Sequence, residues 1–552
     1  MAGNVGFTLR KMLTVVGLGA IVVEILRVPA THDGRWLLWL GGGGALTAAG
    51  LWPSIDRGSR RLPRAAASAA FTLFVVFGLL AAQLLRLQVV GGNDTFTREA
   101  ADPETGQVVA NPRAGNADLR ADRGSILDRN GNVLAETRIV GGVAHRLYPE
   151  PASYVAGYFS PLKYGKTGLE AAYDPTLAGA DAGNPFVRRM ESLLHRPAKG
   201  GDVRLTIDAA LQARADALLA GRTGSIVVID VKTGAVVVMA SSPHADPSRL
   251  IADDAASASA AEAYWASLNA DPTQPLLPRA TNGLYTPGST FKIVTASAAI
   301  DTGAATPDEV FVDDGALDVD GHVIVENNRP DASVTRWTLR DGIAYSLNVV
   351  LAQVGLKVGG KTLSAYAQRF GFGEKIPFDL PVARGQISGS AAFLDAPAAV
   401  ADTAFGQGQL LTTPLGMALV AATIANGGVT MTPYLIEQTT TGDGEALDPR
   451  KPGIWRRPVS AQTASDVAAM MVNAVDTGYA GRAAIDGFVV GGKTGTAETG
   501  DGREPHAWFI GFIGAPEPRF AVAVVLEHGG KGLGAPLSIA REMLLATVQA
   551  YP

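Results

Sequence analysis

The chain contains no cysteine, which excludes disulfides and every cysteine-based metal or redox centre. Histidine is sparse, with seven in 552 residues, and no H-E-x-x-H pair occurs, so a helix-borne zinc protease site is excluded as well. There is no excess of charge of one sign. The 47 basic and 52 acidic side chains leave a formal net charge of -5, without the basic patch or stripe expected of a nucleic-acid partner. No internal repeat at a fixed period is visible. What is present is length, enough for a membrane part and two or three further parts. The apolar fraction of 47% is concentrated toward the N-terminus.

Three apolar stretches occupy residues 12–28, 36–52 and 66–90. Each approaches or exceeds the roughly 20 residues that a helix needs to cross a hydrocarbon core. The third is the strongest, centred on FTLFVVFGLLAAQLL, whereas Glu24 and Arg27 weaken the first and Gly41 to Gly44 loosen the second. Arg10 and Lys11 precede the first stretch, and Arg57, Arg60, Arg61 and Arg64 crowd the link before the third. The positive-inside rule keeps both clusters in the cytoplasm, so three spans export everything after about Gly91. A single span at the third stretch exports the same body.

The sequence divides into a membrane region over 1–90, a stalk and pedestal over 91–201, and a larger domain over 202–552. Asn130-Gly131, between two short strand-like runs, predicts a hairpin. Asp208 is placed to cap a helix that follows RLTI. GSIVVIDVKTGAVVVMASS predicts two strands and a turn. HAWFIGFIGA and RFAVAVVLEH predict another pair, and a helix over Ser538 to Ala550 closes the chain. Strands at both ends with helices between them indicate an α+β fold.

Three short motifs carry the chemistry. In TPGSTFKIVTASAAI, Pro287-Gly288 breaks the chain before an apolar helical pattern and sets Ser289 near a helix N-terminus. Ser289 and Lys292 then share one face of the first turn. A serine becomes a useful nucleophile when a base takes its proton, and a lysine serves if burial or nearby positive charge keeps it neutral. Alone, S-x-x-K is more often a cap followed by a solvated lysine. Ser346-Leu347-Asn348 in IAYSLNVVLAQVG, taken alone, is a polar break before a buried helix. Lys493-Thr494-Gly495-Thr496 follows the strand run GFVVGG, where a lysine and two hydroxyls suit a carboxylate and glycine permits close approach. Lys232-Thr233-Gly234 spells the same three letters between two apolar runs, where a polar turn suffices. S-x-x-K, S-x-N and K-T-G in that order match the signature of penicillin-binding proteins and β-lactamases.

The match extends further. NGLYTPGSTFK, ADTAFGQGQLLTTPLGMALVAATIANGG and GGKTGTAE followed by AWFIGF resemble the transpeptidase domain of class B penicillin-binding proteins. RGSILDRNGNVLA, from Arg123 to Ala135, resembles their N-terminal signature, and YVAGYFSPLKYGKTGLEAAYDPTLAG resembles a pedestal segment of the actinobacterial-type members. The resemblance implies a D,D-transpeptidase with no cofactor and no metal, in which the D-Ala-D-Ala end of a peptidoglycan stem peptide acylates Ser289. Lys292 would be the base, and Ser346 and Asn348 would pass a proton to the leaving group and bind the substrate amide. Lys493 and Thr494 would hold the terminal carboxylate, with Gly495 and Thr496 beside them. Backbone N–H groups of Ser289 and Thr496 would form the oxyanion hole. β-Lactams would block Ser289 covalently, and a RodA/FtsW-type glycan polymerase would be the partner in the cytoplasmic membrane. The region before the pedestal is too small for a glycosyltransferase.

Two other readings use the same first motif. A serine β-lactamase differs by rapid hydrolysis of its acyl-enzyme, and a β-lactam sensor by a zinc protease module, for which no motif exists here. A histidine triad is disfavoured, because no G-x-S-x-G elbow surrounds Ser289 and His506 fits a surface or strand position.

Overall fold

A computed structural model describes residues 9, 11–21, 33–51, 61–85, 100–101, 108–109, 121–179 and 199–552, except 142, 253–254, 448 and 501. The chain forms two compact units, Met1–Asp118 and Leu119–Pro552.

In the first unit, residues 11–21, Asp33–Leu51 and Arg61–Leu85 are helical. They fall on the three apolar stretches, although residues 22–28, 52 and 86–90 of those stretches lie outside the described residues. Among the described residues no helix is long and apolar enough to cross a membrane. Membrane spans are therefore not shown here. The first part of the expected stalk and pedestal, residues 91–120, lies outside the described residues apart from a short antiparallel pair, Ala100–Ala101 with Val108–Val109.

The second unit begins with the expected hairpin. Strands β1 (Ile126–Leu127) and β2 (Val133–Val140) pair antiparallel. Gly131 turns between them at φ +88°, and Asp128 Oδ1 accepts from the N–H groups of Asn130 and Asn132. β3 (Val143–Leu147) pairs with β2, and β4 (Val203–Leu205) lies parallel to β1. Ile436–Thr439, from far along the chain, pairs with β4 and completes a five-stranded sheet. The pedestal sheet therefore draws strands from both sides of position 201. Between β3 and β4, the described residues up to Gly179 form short turns and helices, among them Gly168–Ala172 and Asp174–Leu177.

Helix α1 (Ala209–Leu219) starts where Asp208 Oδ1 accepts from the N–H groups of Ala210 and Leu211 at 3.0 Å, a cap worth about 1 kcal/mol. The predicted strands follow as β5 (Gly224–Asp230) and β6 (Val236–Ser242). Then come helices α2 (Lys292–Asp301), α3 (Asn348–Val358), α4 (Pro414–Ala425) and α5 (Ala461–Asp476). Strands β7 (Val489–Ala497), β8 (His506–Gly514) and β9 (Pro518–Leu526) precede the final helix α6 (Ala535–Ala550). α6 begins three residues earlier than expected, because Pro536 sits in its first turn, where a missing N–H costs nothing.

The central sheet runs β6-β5-β9-β8-β7, antiparallel throughout. Alternate strand residues point to opposite faces, and both faces are covered. Ile226, Val228, Phe509, Val522 and Val524 pack with α1 and α6 residues such as Leu211 and Leu544. Val227, Ile229, Ile510, Ala521 and Ala523 pack with α2, α4 and α5 residues such as Ile293, Met417 and Met470. Double burial explains why these strands read as continuous apolar runs. The antiparallel order with helices on both faces bears out the α+β class and leaves β7 at an edge of the sheet, beside the Gly288–Phe291 turn.

Candidate active site

Gly288–Phe291 forms a tight 3-10 turn that runs directly into α2. Ser289 thus precedes the helix proper by one turn, with Lys292 at the helix start. Phe291 anchors the turn, fully buried and edge-on to Phe372 at 5.1 Å. Trp508 Nε1 donates to the carbonyl of Thr286 at 3.0 Å and fixes the approach to it. Two glycines permit the close packing. A Cβ on Gly406, in the segment AFGQGQ, would lie 1.7 Å from the carbonyl oxygen of Gly288. One on Gly495 would lie 2.9 Å from Thr290 Cγ2 and 3.1 Å from the carbonyl oxygen of Pro287. Gly495 therefore lets β7 close on the turn that carries Ser289.

The three motifs converge. Lys292 Nζ donates to the carbonyl of Ser346 at 2.7 Å, to Asn348 Oδ1 at 2.6 Å and to Ser346 Oγ at 3.2 Å. Lys493 Nζ donates to Ser346 Oγ at 2.8 Å and to the carbonyl of Thr494 at 2.9 Å. Ser346 is a bridge between the two lysines. It holds φ +59°, a left-handed conformation that costs a non-glycine residue about 1–3 kcal/mol. Ser289, Ser346, Asn348, Thr494 and Thr496 line one cavity of about 770 Å³. Thr496 Oγ1 also accepts from the N–H of Gly532 at 3.3 Å.

Both lysines are buried. Burial lowers the Lys292 pKa to about 7, with the negative charge of Glu326 opposing the fall. Burial and the neighbouring Lys292 push Lys493 well below the ordinary lysine value. The site thus favours loss of a proton near neutrality, which a lysine base requires. Among the described residues Ser289 Oγ makes no hydrogen bond to Lys292, whose donors are engaged by the S-x-N segment. Such contacts often tighten only when substrate arrives.

Lys232-Thr233-Gly234 occupies the turn between β5 and β6. Asp230 Oδ1 accepts there from the N–H groups of Lys232 and Thr233, and Gly234 sits at φ +84°. His506 opens β8 and accepts at Nδ1 from the N–H of His528 at 3.1 Å. Sequence reasoning passed over Glu326, Asn328 and Tyr479. Asn328 and Tyr479 line the cavity, and Glu326 lies buried behind it. They come from separate segments and carry no spacing pattern.

The fold and site define a class, and comparison with known proteins agrees. Residues 224–545 match the penicillin binding protein transpeptidase domain, and residues 123–203 match the penicillin binding protein A dimerisation domain. The chain belongs to the penicillin-binding protein transpeptidase family. It is 38% identical over 404 residues to peptidoglycan D,D-transpeptidase PbpA of Mycolicibacterium smegmatis, covering 71% of this chain and 80% of that protein. The protein of the same name from Mycobacterium tuberculosis is 35% identical over 429 residues, covering 74% and 85%. The structure of penicillin-binding protein A from M. tuberculosis as a ceftriaxone acyl-enzyme complex superimposes with a TM-score of 0.71 at 32% identity, covering 78% of this chain and all of that one.

Proposed function

We propose that this protein is a serine-type peptidoglycan D,D-transpeptidase that works through an acyl-enzyme on Ser289 and is inhibited by β-lactams. The observation that carries the reading is a fully buried lysine, three residues after a cavity-lining serine and tied to both polar side chains of S-x-N. The relatives named as D,D-transpeptidases and the neighbour solved as a β-lactam acyl-enzyme support it.

The terminal carboxylate of the donor stem peptide docks at Lys493 and Thr494, and its charge stabilises the protonated form of Lys493. Ser346 Oγ touches both lysines, so charge at Lys493 disfavours charge at Lys292 and frees it as a base. Ser289 Oγ attacks the carbonyl carbon of the penultimate D-Ala while Lys292 takes its proton. The N–H groups of Ser289 and Thr496 receive the developing oxyanion. The D-Ala–D-Ala amide bond breaks, and the proton reaches the departing amine through Ser346 Oγ as Asn348 holds the substrate amide. An acceptor amine then attacks the ester, gives up a proton and restores Ser289 as the cross-link forms. Water in place of the amine would give carboxypeptidase products.

The protein acts outside the cytoplasmic membrane in this reading, anchored by its N-terminal segments over 1–90. The apolar stretches support that placement, as do the exposed Leu73, Phe74, Phe77, Leu80 and Leu84 of the helix Arg61–Leu85. A RodA/FtsW-type glycan polymerase is the proposed partner, following the family resemblance. The intact chain should co-purify with such a polymerase, and a fragment starting at Gly91 should not; equal recovery of the two rejects the anchor as the contact.

Labelling with a fluorescent penicillin, followed by mass spectrometry of the adduct, tests the central claim. A long-lived adduct on Ser289 that is absent from Ser289→Ala is expected. Rapid turnover of the label would instead indicate a β-lactamase.

A further inference from the structure

Glu326 follows the strand His322–Val325 and belongs to none of the catalytic motifs. Its side chain is buried beside the active-site cavity, where an isolated carboxylate would be costly. It is satisfied in an informative way. Glu326 Oε2 accepts from the N–H of Val349 at 3.0 Å, in the first turn of α3. That helix has no side-chain cap of its own, because its capping position is Leu347. The carboxylate from a distant strand therefore meets one of the orphan donors and the positive end of the helix dipole. The first residue of the same turn is Asn348, which receives the Lys292 hydrogen bond.

The other oxygen works on a second contact. Glu326 Oε1 accepts from the N–H of Asn328 at 2.8 Å. Asn328 Nδ2 in turn donates to the carbonyl of Ser346 at 2.9 Å, and Tyr479 donates from its hydroxyl to the carbonyl of Asn328 at 2.6 Å. The Ser346 carbonyl is also an acceptor for Lys292. One carboxylate thus orders both groups that grip the lysine: Asn348 through the helix start, and the strained Ser346 through Asn328.

We propose that Glu326 is a positioning residue of this active site, fixing Ser346 and Asn348 around Lys292 and placing a buried carboxylate charge behind them. The proposal deepens the transpeptidase reading and rests on it for the role of Lys292. Two charged groups face this network. Glu326 lies on the strand side, and its charge favours protonated Lys292; Lys493, from β7, shares the Ser346 hydroxyl with Lys292 and is itself pushed down by it.

The test compares the full chain with Glu326→Gln and Glu326→Asp, each checked for its melting temperature. One readout is the rate of acylation by a fluorescent penicillin between about pH 5.5 and 9.5. The other is the titration midpoint of Lys292, followed by NMR on 13C-lysine-labelled protein and assigned by its loss in Lys292→Met. Glu326→Gln removes the charge that favours protonated Lys292. The NMR midpoint and the acid limb of the rate profile should both move down, by about 0.5 pH unit or more. One of the two hydrogen bonds is also lost, so the plateau rate should fall about tenfold or more. Glu326→Asp keeps the charge and shortens the reach; its limb should stay with wild type while its plateau falls. A folded Glu326→Gln with an unmoved midpoint overturns the proposal, as does a plateau within twofold of wild type. Should Glu326→Gln not fold, a Glu326→Asp variant with wild-type plateau and limb overturns it alone. A wild-type chain that never acylates, yet whose Lys292 midpoint responds to Glu326→Gln, would reject the transpeptidase reading and keep the electrostatic link.

Discussion

Among the described residues, a buried cluster of charged side chains in the pedestal and another in the active site are treated oppositely by their surroundings. In the pedestal, Glu170 is clamped between Arg123 at 2.7 Å and Arg146 at 2.7 Å, and Arg123 also meets Asp174 at 2.5 Å. Burial alone would raise the Glu170 carboxyl, but the two guanidinium groups overcome it and hold it below its ordinary value. Every charge there faces a partner of opposite sign. In the active site, two lysines share one serine hydroxyl, and Glu326 is the carboxylate whose field reaches Lys292. Burial with matched partners locks a charge in place. Burial with too few partners leaves a proton ready to move, which is what general-base chemistry needs.

The largest expected effect comes from removing the under-compensated group. Lys292→Met should lower the acylation rate about 10²- to 10⁴-fold, the usual contribution of a general base. The folded state should melt at or above the wild-type temperature, because an apolar side chain of similar length replaces a poorly compensated buried charge. Stopped-flow acylation and thermal melts check the two halves. Simultaneous loss of rate and stability would contradict the comparison.

The same operation in the pedestal should do the reverse. Glu170→Ala leaves Arg146 without its carboxylate and Arg123 with Asp174 alone, and breaking such a buried pair typically costs about 3–5 kcal/mol. Chemical denaturation should show that loss. The remaining folded protein should acylate at close to the wild-type rate, since Glu170 touches nothing in the cavity.

Proton linkage sharpens the contrast without a drastic mutation. Lys292 ordinarily titrates at 10.5 and in the folded protein at about 7. Between these values the unfolded chain holds more protons, so stability rises with pH across that window, and below about 7 the penalty is complete. Glu170 behaves as a depressed carboxylate. Its contribution is full above its ordinary 4.5 and is lost as pH falls through the lower folded value. Denaturation series from pH 7 to 10.5 should rise for wild type and rise less steeply for Lys292→Met. Glu170→Ala should flatten the decline below pH 4.5 and leave the alkaline slope unchanged.

Much of this was legible in the sequence because local rules and the final fold agree. Asn130-Gly131 makes the turn it spells, Asp208 caps α1, and Pro287-Gly288 breaks the chain where Ser289 must be presented. The order of three weak motifs did the rest. What was not legible depends on tertiary pairing. Strands β5 and β6 join β7 and β8 through β9, across some 290 residues, and nothing local announces the partner. Glu326 reaches α3 only because its strand is folded against that helix. The left-handed conformation at Ser346 has no sequence mark, since serine rarely adopts it.

The two copies of K-T-G give the smallest expected effect and the cleanest control on motif reading. Lys493 is 2% exposed, and its ammonium meets Ser346 and Thr494. Lys232 has a side chain 52% exposed and reaches Glu517 at 3.5 Å, itself 79% exposed. Solvent screens such a pair, which contributes at most a few tenths of a kcal/mol. Lys232→Ala should therefore leave the penicillin acylation rate at the wild-type value and stability within about 0.5 kcal/mol. Lys493→Ala should weaken acylation by carboxylate-bearing β-lactams, because it removes the cation proposed to hold that group. If Lys232→Ala slowed acylation as Lys493→Ala does, the three letters would matter more than their place in the fold. The turn geometry at Asp230 and Gly234 argues that place decides.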